Sequence, residues 1–183
     1  MSGATDTAVL RIDPERLWES LSELGAIGAY HDSDTDLDGV RRLALTDDDI
    51  AGREPVLGWM RDAGLTIRMD AIGNVYARRA GLDDSLAPVL VGSHIDSVAT
   101  AGRFDGCLGV LGGLEVVRTL NDHGVGTRRP FEVAIFTEEE GARFGTALLG
   151  SNPVAGNWQD SWLDQTDEAG TVDAILKSVR AGA

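Results

Sequence analysis

Three segments in the second half of the chain restrict its fold more than any other feature. "APVLVGS" (87–93) is a short, continuous apolar run ending in glycine. Residues 106–122 carry Leu108, Leu111, Leu114, Val117 and Leu120 at helical spacing. "FEVAIF" (131–136) is a second apolar run. Strand, helix and strand in this order form a crossover unit. Such connections are right-handed in nearly every case and leave the two strands parallel. Their carboxyl ends then share one edge of the sheet, which is where open α/β folds place ligands.

The rest of the chain fits around this unit. Asp13 and Pro14 read as an N-cap and a first-turn proline, followed by Leu17, Leu21 and Leu24 and a stop at Gly25. Thr46 caps a second helix, with Asp47, Asp48 and Asp49 in its first turn and apolar positions continuing to Gly64. Two short strands are expected on either side of Ala71–Asn74, and a last helix over 171–179. Residues 26–45 read as acidic and irregular. The alternation of strands and helices predicts an α/β fold with a mixed, partly parallel sheet. With no repeat and no linker, the 183 residues read as a single domain.

Charge narrows the choice of partners. The formal net charge is −14, which offers no basic patch to phosphates and argues against nucleic acid or an anionic membrane. Small molecules and bound cations remain. No apolar run reaches the roughly 18 residues of a membrane span. The stretch "MSGATDTAVLRIDPERL" lacks the basic start and apolar core of a secretory leader. The single cysteine, Cys107, cannot form an internal disulfide and suits a reducing cytoplasm.

The chemistry-bearing residues fall at the predicted sheet edge. His94 follows the first strand, and Glu138, Glu139 and Glu140 follow the second. Asp96 and Asp105 lie in the glycine-punctuated loop that enters the helix. Imidazole nitrogen and carboxylate oxygen suit divalent ions such as Zn²⁺ or Mn²⁺. Asp96 is placed to orient the His94 ring, and Asp105 could bridge two ions. One glutamate could ligate while another acts as general base. Bound cations would also relieve three adjacent carboxylates of their mutual repulsion.

Two long stretches, "GSHIDSVATAGRFDGCLGVLGGLEVVRTL" and "FTEEEGARFG", resemble the signatures of the amidase/hydantoinase/carbamoylase family of dinuclear metal hydrolases. The resemblance extends from about residue 13 to about 157 and includes "LALTDDDIAGREPVLGWMRDAGLTIRMDAIGNVYARRAG". It implies a three-layer α/β/α, zinc-exopeptidase-like catalytic domain. It also implies two divalent metal ions per complete subunit: zinc or manganese, with cobalt or nickel as further options. By position, His94 matches a ligand of one metal, Asp105 the bridging aspartate, Glu140 a ligand of the other metal, and Glu139 the catalytic base. Glu138 matches no functional position. Ala101, Asp38 and Arg41 depart from the family pattern without touching a ligand. The implied reaction is hydrolysis of a carbamoyl or ureido C–N bond in a small N-carbamoyl amino acid or an allantoate-like acid.

The family also uses histidines further downstream and a lid domain that supplies substrate contacts and a homodimer interface. Neither His31 nor His123 falls in a matching motif. The resemblance therefore implies that residues 1–183 are the N-terminal part of a catalytic domain in a longer subunit, inactive alone. Two rival readings are a metallo-exopeptidase or dipeptidase of the same clan, and a catalytically dead fragment or binding module.

Other motifs read as decoys. "HDSDTDLDG" (31–39) imitates the start of a calcium loop, but Leu45 stands at its twelfth position, so it reads as a solvated acidic loop. Gly106, Gly109 and Gly112 lack the dinucleotide order and read as a helix face packed on a sheet. Cys107 reads as a small buried residue, and His123 as a helix-end group.

Overall fold

A computed structural model describes residues 10–182. Met1–Val9, the start of the stretch read for a leader, and Ala183 lie outside the described residues. Helix α1 (Pro14–Gly25) is followed by strands β1 (Ala29–Asp32) and β2 (Leu37–Val40) and by helix α2 (Asp47–Asp62). Then come β3 (Thr66–Met69), β4 (Val75–Arg79), β5 (Val89–His94), α3 (Cys107–Asp122) and β6 (Phe131–Phe136). The last elements are the one-turn α4 (Ser151–Val154), β7 (Thr166–Asp167), β8 (Gly170–Thr171) and α5 (Val172–Gly182).

Both predicted caps form. The Asp13 carboxylate accepts the backbone N–H groups of Glu15 and Arg16, and the Thr46 hydroxyl accepts that of Asp49. Each satisfies donors that the first helical turn leaves free. The main sheet has the order β3-β4-β6-β5. β3/β4 and β4/β6 are antiparallel, and β5/β6 is parallel with His94 opposite Phe136. The α/β class and the mixed, partly parallel sheet match the expectation.

One apolar cluster holds three helices to this sheet. It joins Leu21 and Leu24 of α1, Val56 and Met60 of α2, and Val110, Leu111, Leu114 and Val117 of α3 to Val75, Ala77, Val133 and Ile135. A second cluster gathers Leu45, Ile72, Phe144, Leu149, Val172 and Leu176 around α5. On the face of β6 that carries Glu132, its carboxylate accepts Arg68 at 3.4 Å and Arg78 at 3.1 Å. No helix of the described residues is long and apolar enough to cross a membrane.

Two expectations need correction. Residues 26–45 are not irregular throughout: β1 and β2 form an antiparallel hairpin with Ala29 opposite Val40. His31 Nδ1 lies 2.9 Å from Asp38 Oδ1 across this pair, and Asp32 accepts Asp34 N and Thr35 Oγ1 at the turn. The acidic stretch is therefore a hairpin and not a helix-flanked calcium loop. The glycine face of α3 is also different. A Cβ at Gly109 would meet Ser93 Cβ at 2.8 Å and one at Gly113 would meet Val91 Cγ2 at 2.9 Å, while Gly112 faces open space. Gly109 and Gly113, one helical turn apart, are what let α3 approach β5.

Candidate metal site

The parallel pairing of β5 and β6 brings the predicted residues together. His94 ends β5, Glu138–Glu140 follow β6, and the loop 95–106 returns to the same edge before α3. His94 is buried, and its Nδ1 lies 2.9 Å from the backbone carbonyl of Asp96. A carbonyl can only accept, so this contact fixes the proton of the neutral ring on Nδ1 and leaves Nε2 with a free lone pair. Nε2 faces Glu139 Oε2 at 3.5 Å and Asp105 Oδ1 at 3.8 Å. One ligand atom from each of His94, Glu139 and Glu140 lies within 4.8 Å of the others. Asp105 stands at the rim, its side chain 70% exposed against 30% for Glu139.

This donor set fits a divalent cation. It offers one imidazole and several carboxylates, the mixed N/O chemistry of zinc and manganese sites. The backbone also keeps room beside the free nitrogen. Gly106 has φ +64°, and a Cβ there would stand 2.5 Å from His94 Nε2. Glycine both tolerates that conformation and leaves the space empty.

Asp96 acts differently from the expectation. Its carboxylate is 3.8 Å from His94 Nδ1, too far for a hydrogen bond, and its backbone carbonyl orients the ring instead. The carboxylate Oδ2 accepts the backbone N–H of Glu139 at 3.1 Å, tying the loop after β5 to the loop after β6. Burial, with the Asp49 charge adding and His94 opposing, pushes this carboxyl up to about 7. Burial also raises Glu140, against the pull of His94.

Glu138 is turned inside, which leaves Glu139 and Glu140 as the close pair of the three. It is 1% exposed, with φ +51°, and its Oε1 accepts the N–H groups of Arg143 (3.1 Å) and Phe144 (3.0 Å). Burial raises its carboxyl, with those N–H groups opposing. Arg143 in turn donates to the Ala44 carbonyl and to Asp167. Glu138 thus folds the 138–144 turn that presents its two neighbours.

Other residues that shape the site gave no motif in the sequence. Asn74, fully buried, accepts Thr137 N and donates to the Gly150 carbonyl, which closes the base of the 137–150 loop. Arg53 donates to Thr137 Oγ1, Gly73 O and Asp49 Oδ2. Asp49, expected to serve only the helix dipole, also accepts Leu45 N at 2.8 Å. Cys107 is buried, as expected, and burial pushes its thiol up. His123 caps the end of α3 with Nδ1 2.9 Å from the Thr119 carbonyl.

Comparison with known proteins identifies relatives of the chain. Residues 90–179 match Peptidase family M20/M25/M40. The chain is 45% identical over 159 residues to an N-carbamoyl-L-amino acid amidohydrolase of Geobacillus stearothermophilus, covering 87% of this chain and 38% of that protein. It is 35% identical to a ureidoglycolate hydrolase of Oryza sativa subsp. japonica, covering 92% of this chain and 36% of that protein. The crystal structure of a hydantoinase/carbamoylase family amidase from Burkholderia ambifaria superposes with a TM-score of 0.86 at 51% identity, covering 93% of this chain and 42% of that one. The chain thus spans about two fifths of the length of the proteins it matches. Sequence and fold together place it in the hydantoinase/carbamoylase family of amidases, within Peptidase family M20/M25/M40.

Proposed function

We propose that this chain is the N-terminal part of the catalytic domain of an amidohydrolase that cleaves a carbamoyl or ureido C–N bond. The substrate class is a small N-carbamoyl amino acid or a ureido acid such as allantoate. The observation that carries this reading is the convergence of His94, Glu139 and Glu140 on one point, within 4.8 Å, in a chain 45% identical to an N-carbamoyl-L-amino acid amidohydrolase.

In this reading His94, Asp105 and Glu140 would hold the metal. Two divalent ions, zinc or manganese, would polarise the substrate carbonyl and lower the pKa of a water from about 15.7 toward about 7. Glu139 takes the proton from the attacking water on its carboxylate and returns it to the leaving nitrogen. Its backbone N–H, held by Asp96, fixes where that carboxylate starts. The rest of the subunit supplies contacts to the substrate carboxylate and a homodimer interface, so the 183-residue chain alone turns substrate over little. A cytoplasmic location belongs to the same proposal.

Glu139→Gln tests the assignment in the complete enzyme. Metal content should stay at the parent level while the rate of N-carbamoyl-L-amino acid hydrolysis falls about 10²–10⁴-fold. A near-parent rate removes Glu139 from the role of base. Faster cleavage of dipeptides than of carbamoyl and ureido acids would replace the amidohydrolase reading with an exopeptidase one.

A further inference from the structure

Arg42 lies between β2 and α2, 1% exposed, beneath the loop that carries the site. Its backbone is tied to that loop in both directions. Arg42 N donates to Ser97 Oγ at 2.8 Å, and Ser97 N donates to the Arg42 carbonyl at 2.8 Å. The guanidinium reaches the same loop and two further segments. Nε donates to the Ile95 carbonyl at 2.8 Å, and Nη2 donates to Cys107 Sγ at 3.2 Å. Nη1 donates to the carbonyls of Leu24 (3.0 Å) and Ile27 (2.7 Å).

All of these partners are carbonyls or a thiol. A buried cation without a carboxylate is costly unless something else stabilises it. Here the carbonyls at the end of α1 do so. That helix has no basic residue in its last turn, so its negative pole is left for a cation from elsewhere. Arg42 fills that place.

Its other two arms reach the two ends of the site loop. Ile95 directly follows His94, and Cys107 comes two residues after Asp105. One rigid, planar group therefore pins both ends of the segment whose side chains meet at 3.8 Å, His94 Nε2 to Asp105 Oδ1. We infer that Arg42 is a positioning residue for the metal site, holding the two ends of the 94–107 loop in register so that His94 and Asp105 face one point. This rests on the proposed reading of those residues as ligands. The fork carries the effect more than the charge does: a lysine ammonium has no fixed geometry with which to span acceptors on three segments.

The test compares Arg42→Lys, Arg42→Met and Cys107→Ala with the parent chain by amide hydrogen exchange and by Co²⁺ titration. In Arg42→Lys, exchange over residues 95–106 should quicken about tenfold or more while residues 110–117 of α3 change little. Co²⁺ affinity should fall about tenfold, the effect of losing a group that orients a ligand. Arg42→Met should match Arg42→Lys, since both lose the fork. Cys107→Ala, which removes one arm, should show a smaller change in the same segment. Exchange that rises evenly across the chain, or parent-like exchange and Co²⁺ affinity in folded variants, would overturn the inference. If the Arg42 variants do not fold, Cys107→Ala decides on the same two readouts. A parent chain that binds no Co²⁺ would sink the metal-site reading, and the exchange pattern would still judge Arg42.

Discussion

Asp96 is where burial most changes a side chain's ordinary chemistry. Its carboxyl stands at about 7 in the folded chain, against about 3.9 in an unfolded one. Between those values the folded state keeps a proton that the unfolded state releases. In metal-free protein this makes stability fall as pH rises from about 4 to about 7, and level off above. Glu138 and Glu140, also raised by burial, add with the same sign. Thermal midpoints of chelator-treated protein should therefore be higher at pH 5 than at pH 7.5, and Asp96→Asn should narrow the gap. Gly106 makes a second residue-scale prediction. Gly106→Ala forces a side chain into a left-handed backbone conformation and against His94. It should cost about 1–3 kcal/mol in urea unfolding and weaken metal binding as well. What the sequence could show at this scale was uneven. His94, Asp105 and the glutamates at 138–140 stood out because their residue types are those that metal and proton chemistry require, but choosing Glu139 and Glu140 over Glu138 took the family resemblance. The inward turn of Glu138 was not legible, because its partners are backbone N–H groups that no side-chain pattern reveals. Asp96 was singled out for its carboxylate, yet its backbone carbonyl holds the ring.

At the scale of elements, the crossover unit was legible because strand and helix differ in apolar period and because the handedness of the connection is nearly invariant. That one inference placed residues 94, 105 and 138–140 on a common edge. The β1/β2 hairpin was not legible. Its strands are four residues long and rich in aspartate, and they are held by tertiary links such as the Val40–Ala101 bridge. The docking of α1 on α3 was equally silent, since it depends on a charge inside the apolar stripe of α3. Glu115 is fully buried and accepts Arg16 Nη2 at 2.7 Å and Nε at 2.9 Å, while Arg16 remains 31% exposed and also reaches Asp122. The two halves of this pair are therefore unequal. Arg16→Met takes the two-pronged partner from a buried carboxylate and leaves it Asp13 N, Thr119 Oγ1 and Arg118 at 3.8 Å, and should cost about 3 kcal/mol. Glu115→Gln leaves an arginine that can turn to Asp122 and water, and should cost about 1–3 kcal/mol. Urea unfolding of the two variants reads the asymmetry directly, and equal costs would contradict it.

For the whole molecule, the balance of charge and site sets the behaviour. A chain with net charge −14 that gathers Asp105, Glu139 and Glu140 around one histidine gains by binding a cation and loses when it is stripped. Zn²⁺ or Mn²⁺ at about a hundredfold over its dissociation constant should stabilise the fold by about 2.7 kcal/mol. For a chain of this size that corresponds to a rise of about 5–10 °C in the thermal midpoint, reversed by chelation. The central claim is that His94 and its glutamate neighbours form a cation site. It is tested most directly by calorimetric titration of Zn²⁺ into the parent chain and into His94→Ala. The parent should bind with a clear heat, and His94→Ala should lose at least about tenfold in affinity while keeping the helical content of the parent. Equal Zn²⁺ binding by the two proteins would contradict the account.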